Sequence, residues 1–328
     1  MAQTSGMPEV VGSVGDLGGR EGFVIAPFVP SAAHPVLLLR PDVVETREVK
    51  PAAEVGDGVV RDEMCADDRE TYARDFARFH GELSAGRFDK LVLSRCVRVD
   101  ATSPVSAEDL FLKACRIYPH QFIALVAMRG AGTWLMATPE VLLEGCGDRW
   151  RTMALAGTMR AVEAHRDGEG VRWSAKNMEE QRYVSAYIAH ILARYGEEVS
   201  ARGPFTTAAA HLLHLRTDYA FRLSHRALPG ELIDALHPTP AVCGMPKDEA
   251  RRFIVDHESI DRQYYSGFCG PLSVDSETHL YVSLRCMRID DGGFDLFAGG
   301  GILRDSEMET EWRETQTKLQ TMLRLVIQ

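Results

Sequence analysis

The stretch METEWRETQTKLQTML places Glu311, Glu314 and Lys318 at i, i+3 and i+7. A helix there carries two carboxylates and an ammonium on one face. Met322 and Leu325 continue the stripe, so that face is expected to turn toward the protein rather than water. Taken alone, the same pattern also fits a solvated helix with an ordinary Glu–Lys pair. A second helical stretch, 174–195, sharpens the choice. Its apolar stripe runs through Val184, Tyr187, Ile188 and Ile191, with Glu180 and Asn177 one and two turns earlier on the same face. A lone carboxylate there is costly unless it has a partner. Carboxylates directed inward from two helices are what an octahedral Mg²⁺ ion takes, with water and substrate oxygens completing its shell.

Other residues carry chemistry less specifically. FDLFAGGGIL ends in Gly299–Gly301, and a turn without Cβ atoms lets backbone N–H groups approach an anion closely. A tight strand-to-loop turn reads the same way, and without the Walker lysine pattern it is no nucleotide P-loop. Lys90 opens an apolar strand, where loss of hydration disfavours the ammonium and suits a general base. A lysine at a strand edge is equally a solvated gatekeeper. Glu140, after Thr138-Pro139 at a strand end, is a candidate general acid with the same ambiguity. His214, in an apolar strand, is more often a satisfied core residue than a catalyst.

The elements that must position these residues follow from periodicity. β-rich runs alternate with proline from about 23 to 60, and RETYARDFARFHGEL forms a helix ending near Gly86. DKLVLSRCVRV alternates as a half-buried strand does. QFIALVAMRG and GTWLMATPEVLLEG flank a hairpin turn. TMALAG and HLLHLRTDYAFRL are strands, GELIDALHPTPAVCGMP is a helix broken by prolines, and FCGPLSV, HLYVSLRCMRID and FDLFAGGGIL are late strands. A helix over 307–327 closes the chain. Strands interleaved with helices outside a βαβ rhythm indicate an α+β fold. Residues 1–25, rich in Gly and Ser, are expected to be loosely ordered, with one catalytic domain over 26–328.

The 328 residues suffice for a sizeable core. A net charge of −10 argues against a nucleic-acid partner, though a locally basic pocket can still take an anionic small molecule. Seven scattered cysteines without a C-x-x-C pair argue against a disulfide framework or zinc knuckle. With no signal peptide and no apolar run long enough to span a membrane, the expectation is a soluble cytoplasmic protein.

In order along the chain, DKLVLSR, ATPEVLLE, ALAGTMR, SAKNMEEQRYV, LLHLRT, LHPTPAVCGMPKDEA, DRQYYSGFCG, SLRCMRI, FAGGGI and EWRETQTK resemble the chorismate-utilising family. That family includes isochorismate, salicylate, anthranilate and aminodeoxychorismate synthases. The blocks cover roughly 85–328. The resemblance implies a single α+β domain with a two-sheet core flanked by helices and a deep Mg²⁺–chorismate pocket. Glu180 and Glu314 match the magnesium carboxylates, and Glu311 an acid that holds a water of the ion. Arg285, Lys318 and the amides around Gly157, Gly299 and Gly301 match positions that hold the substrate carboxylates. Thr158, His214 and Tyr265 fall where the family lines its pocket. Asn177 departs from the pattern, since many relatives carry an acid there.

Amine-transferring members carry Gln where this chain has Lys90, and water-using members carry Lys. The resemblance thus implies that Lys90 activates water to attack C2 of chorismate while Glu140 protonates the departing C4 hydroxyl. That requires the two side chains to be displaced in opposite senses from their usual protonation. Ala241 and Val242 resemble the pair in synthases that stop at isochorismate, whereas members that go on to eliminate pyruvate tend to have Thr then Ala. The expectation is an Mg²⁺-dependent isochorismate synthase serving a siderophore, salicylate or menaquinone route, with a downstream isochorismate-using enzyme. The alternatives are a salicylate synthase, an aminating chorismate enzyme, and an inactive relative serving as a binding subunit.

Overall fold

Alternating strands need a partner for each apolar face, and here two antiparallel sheets supply it to one another. The computed structural model describes residues 1–49, 68–101, 105–161, 166–167, 170–209, 212–273 and 276–326. In chain order the elements begin with β1 (Glu9–Val11), β2 (Gly22–Ala26), β3 (Val36–Leu39), α1 (Arg69–Ser84), β4 (Lys90–Asp100) and α2 (Ala107–Ile117). Next come β5 (Phe122–Met128), β6 (Gly132–Thr138), β7 (Val141–Cys146), β8 (Arg149–Arg160) and a small ribbon of β9 (Arg166–Asp167) and β10 (Gly170–Val171). Then follow α3 (Ala175–Tyr195), β11 (Gly196–Ala209), β12 (Leu212–Leu223), α4 (Pro229–Leu236), β13 (Gly244–Met245) and α5 (Lys247–His257). The last are β14 (Phe268–Leu272), β15 (Glu277–Val282), β16 (Cys286–Asp290), β17 (Gly293–Ile302) and α6 (Met308–Val326).

One sheet has nine strands in the order β1-β3-β2-β14-β15-β7-β8-β12-β11, the other six in the order β13-β4-β17-β16-β6-β5. Every pairing among the described residues is antiparallel. This is the α+β, two-sheet domain expected from the sequence. Two of the chain's passages between sheets, those made without an intervening helix, are neighbours. The chain leaves β6 for β7 through Pro139 and Glu140, and β15 for β16 through Ser283, Leu284 and Arg285. The crossings hold each other: Val282 N–H donates to the Glu140 carbonyl (3.0 Å) and Ala137 N–H to the Arg285 carbonyl (3.1 Å).

The apolar stripe of α3 lies on the nine-stranded sheet. Val184, Ile188 and Leu192 are fully buried there with Ala154, Ala156, Tyr219 and Phe221. Each such aliphatic side chain contributes about 1.5–3 kcal/mol. Ser174 starts the helix, its side chain accepting from Asn177 N–H at 3.1 Å. On the six-stranded sheet, α6 and α2 bury Leu319, Met322 and Leu323 with Leu110 and Ala114. Between the sheets, Ile25 and Leu37 meet Trp134, Met136, Tyr264, Tyr265 and Phe297.

Two expectations are corrected. Residues 1–25 are not loosely ordered: β1 extends the nine-stranded sheet, pairing Glu9–Val11 with Val36–Leu38. Val11, Val14 and Leu17 are buried in the α3–α4 core, which the Gly and Ser content conceals. Gly299–Gly301 are not a turn. They lie inside β17, facing Ser94, Leu93 and Val92 of β4. The far end of the β-rich run foreseen over 23–60 and the last residue of the 307–327 helix fall outside the described residues.

Trp134 lies at the centre of the inter-sheet core, fully buried between the rings of Tyr264 (5.8 Å) and Phe297 (5.5 Å). Trp134→Ala is expected to cost about 3–5 kcal/mol. In urea unfolding the midpoint should fall at unchanged slope; a loss below about 1 kcal/mol would contradict this account of the core.

Candidate active site

The double crossing places Glu140 and Arg285 on adjoining stretches of backbone in the same pocket, both buried. Arg285 has a backbone φ of 46°. That left-handed conformation costs a non-glycine residue about 1–2 kcal/mol, and here it turns the side chain inward at the crossing. Its Nη2 donates to His214 Nε2 (2.6 Å) and its Nη1 to the Ala209 carbonyl (3.3 Å). His214 Nδ1 in turn donates to the Gly157 carbonyl at 3.0 Å. A guanidinium cannot accept, so His214 is held as the Nδ1–H tautomer by this chain of bonds. Among the described residues, no carboxylate forms an ion pair with Arg285, and burial pushes its guanidinium down to about 10. A buried cation held by neutral partners is a receptor for an anion.

Gly157 is the extra residue of a bulge in β8. His214 pairs with Thr158 and Leu215 with Ala156, leaving Gly157 unopposed at φ +68°. A Cβ there would lie 3.1 Å from Asn177 Cβ and 3.2 Å from the Asn177 carbonyl. Asn177 donates to the Thr158 carbonyl at 3.4 Å, so α3 is keyed to this bulge.

The three glycines of β17 serve a purpose other than a turn. β16 begins at Cys286, opposite Phe297, so past Phe297 one edge of β17 has no strand beside it among the described residues. The Gly299 carbonyl turns to this edge and accepts from Lys318 Nζ at 2.8 Å. By the alternation of an antiparallel strand, Gly301 directs its amide to the same side. The missing side chains leave room for neighbours. A Cβ on Gly299 would meet Tyr265 Oη at 2.7 Å, one on Gly300 the Glu314 and Glu311 carboxylates at 3.4 and 3.7 Å, and one on Gly301 the Glu180 carboxylate.

Three glutamates therefore reach this edge from α3 and α6. Each already holds an ammonium: Glu180 that of Lys90 (3.0 Å), Glu314 that of Lys318 (2.8 Å) and Glu311 that of Lys176. The Lys90–Glu180 contact is an ion pair without a well-directed hydrogen bond. Glu311 is fully buried, and its Oε2 has no hydrogen bond of ordinary geometry, although Ser306 lies alongside. Burial, followed by neighbouring Glu314, pushes the Glu311 carboxyl up. Burial acts the same way on Glu180, but the ammoniums of Lys90, Lys176 and Lys318 outweigh it and leave that carboxyl below its usual range. Hard oxygen donors, one of them orphaned, suit a divalent cation such as Mg²⁺. As they stand, no three His, Cys, Asp or Glu side chains among the described residues are grouped as a metal cage.

Glu140 differs. Its burial outweighs the attraction of Lys90 and Lys318 and lifts the carboxyl to about 8, so at neutral pH it holds its proton.

Ala241, Val242, Tyr265 and Thr158 line the same cavity, so twelve of the fifteen residues singled out in the sequence converge on it. Lys90, Glu311 and Glu314 stand behind its wall, next to the glycines. Sequence reasoning missed Lys176, although it lies one helical turn before Glu180. It also missed Arg262, whose guanidinium pairs with Glu258 and donates to the carbonyls of Val92 and Val242, two wall residues. The cavity itself is about 70 Å³, well under the ~300 Å³ usual for a small-molecule site. A larger hollow of about 800 Å³ lies over β7, β8 and β12. There Arg151 and Arg222 pair with exposed or half-buried acids, and water screens them. The buried pocket has the convergent chemistry.

A family model described as "Chorismate binding enzyme" matches residues 43–327. The chain belongs to the chorismate binding enzyme family. It is 29% identical over 258 residues to isochorismate synthase EntC of Escherichia coli K12, covering 77% of this chain and 66% of that protein. It is 33% identical over 252 residues to the salicylate biosynthesis isochorismate synthase of Pseudomonas aeruginosa, covering 72% of this chain and 50% of that protein. The chain thus spans between half and two thirds of these relatives. A solved structure from Bacillus anthracis, described as the 2,3-dihydroxybenzoate-specific isochorismate synthase DhbC, superposes with a TM-score of 0.79 at 26% identity. It covers 94% of this chain and 84% of that one. Anthranilate synthase component I of Streptococcus pneumoniae shares the fold, with a TM-score of 0.66 at 21% identity. No helix among the described residues is long and apolar enough to cross a membrane.

For this family member, the raised Glu140 carboxyl has a consequence for stability. An unfolded glutamate ionises near its usual 4.5, so the native state binds the extra proton between that pH and about 8. Stability from this group is full below pH 4.5 and is lost as pH rises to about 8. Glu140→Gln should therefore become more stable relative to the native protein as pH rises from 5 to 8 in urea titrations. A constant difference would mean that Glu140 ionises normally.

Proposed function

We infer that the protein is an Mg²⁺-dependent isochorismate synthase acting on chorismate. The observation that carries this reading is Glu140, a buried carboxyl poised to give up a proton, in one pocket with a guanidinium that forms no ion pair among the described residues and with Lys90 behind the wall. Chorismate is a dianion, and Arg285, Lys318 and the Gly299–Gly301 edge offer it cationic and amide partners. The names of the relatives support the same substrate.

In its neutral form, after its ammonium has given a proton up to solvent, Lys90 takes a proton from the water that adds at C2, and Glu140 gives its proton to the C4 hydroxyl as that group leaves and the double bonds shift. One water enters and one departs, so the reaction is an isomerisation. Held by Glu180 and Glu314, with Glu311 holding one of its waters, Mg²⁺ would supply positive charge for the C1 carboxylate and for charge redistribution in the ring. Arg285 fixes the substrate through bonds that His214 keeps in place. Ala241 and Val242 give the wall the small-then-branched surface associated with stopping at isochorismate. The product then passes to an isochorismate-using enzyme.

Incubation with chorismate and Mg²⁺, followed by HPLC, should give isochorismate. Salicylate with pyruvate as the main product would reassign the protein as a salicylate synthase, and turnover only with ammonia as an aminating enzyme. Lys90→Gln should lose water addition, with kcat down by about 10²-fold or more, while chorismate still binds; full activity would remove Lys90 as the base. Because Glu140 must be protonated, kcat/KM should fall as pH rises through about 8.

A further inference from the structure

Three buried or half-buried glutamates face three lysines one for one, and two of those lysines have roles in the reaction just proposed. Lys176 has none. It lines no part of the cavity, yet its ammonium is bonded to Glu311, a carboxylate with no exposure to water and with a second oxygen that lacks a well-formed hydrogen bond. Three unit positive charges already balance three unit negative charges at this edge, so a divalent ion enters only if an ammonium gives way. The three lysines are not equally free to do so. The Lys90 side chain has no exposure, that of Lys318 is 17% exposed and also bonded to the Gly299 carbonyl, and that of Lys176 is 23% exposed. Lys176 is also near the start of α3, where one change of rotamer takes the long side chain toward solvent.

Resting on the Mg²⁺ reading above, we propose that Lys176 is a displaceable stand-in for the metal, holding Glu311 neutralised until a divalent cation takes its place. The pair keeps the empty carboxylates from repelling one another and makes metal binding weaker than the donor set alone would allow. A monovalent ion restores only the single charge that the ammonium supplied and gains nothing by the exchange, so the exchange favours divalent ions. Removing Lys176 leaves Glu311 buried without a partner, which destabilises the metal-free protein and strengthens its demand for the ion.

Calorimetric titration of the full chain with MgCl₂ alone, without chorismate, tests this. Lys176→Met is expected to bind Mg²⁺ about tenfold more tightly than the native protein, the effect of one unit charge a few ångströms away. Its melting temperature should be lower without metal and rise further on adding Mg²⁺. Lys176→Arg keeps the charge and should bind as the native protein does. If Lys176→Met does not fold by circular dichroism, Lys176→Gln, which can still hydrogen-bond Glu311, should show the same tightening. Unchanged or weaker Mg²⁺ binding in a folded Met or Gln variant, with Glu314→Gln weakening the native affinity, would overturn the stand-in role and leave the metal site intact. If neither the native protein nor the folded variants bind Mg²⁺, the metal reading fails, and this inference with it.

Discussion

The structure depends on the chain changing sheets twice at one spot. Neither sheet alone could offer a pocket, since a strand's side chains alternate between a core face and an outer face. Where β6 passes into β7 and β15 into β16, the backbone leaves the ladder of one sheet before joining the other. The Val282–Glu140 and Ala137–Arg285 hydrogen bonds satisfy the groups exposed by that move. In doing so they bring an acid and a guanidinium from positions 145 residues apart onto one wall. Arg285 carries the backbone strain of the arrangement, and the aromatic layer around Trp134 and Phe297 keeps the sheets from sliding and releasing it.

Electrostatics follow from that geometry. The overall charge is negative, yet the pocket gathers Lys90, Lys176, Lys318 and Arg285 around Glu140, Glu180, Glu311 and Glu314. Burial makes each of these charges depend on its nearest partner. Glu180, ringed by ammoniums, stays ionised, whereas Glu140, though attracted by Lys90 and Lys318, is buried enough to keep its proton. Two carboxyl groups of one pocket thus stand on opposite sides of neutrality through their surroundings alone.

Much of this was legible in the sequence, and what was not has identifiable causes. The helix periods around Glu180 and around Glu311–Lys318 survive in the fold because an apolar stripe fixes which face is buried. Alternation located most strands. It could not reveal that GTWLMATPEVLLEG is two strands in two sheets, since the proline step looks the same whether the chain turns or crosses. The β11 strand went unseen because it is an edge, largely polar, with two irregularities and a proline, so no apolar period marks it. The glycine triplet was misplaced for a related reason: Gly signals missing side chains, and only the pairing with β4 shows that the space belongs to neighbours rather than to a turn. Lys176 was passed over because an exposed helical lysine and one bonded to a buried acid on another helix look identical in one dimension.

The N-terminal strand has a further implication for handling the protein. β1 covers the outer edge of β3, and Arg20 and Arg40 both pair with Glu9 across it. Shortening the chain to the first residue of an apparently compact domain would strip that cover. It would leave Val36–Leu39 as an apolar border strand with its hydrogen-bonding groups open to any other extended chain. The α3–α4 core would also lose Val11, Val14 and Leu17. A trimmed form would therefore aggregate through its rim while its pocket was still intact, and a loss of soluble protein would be mistaken for a defect in catalysis.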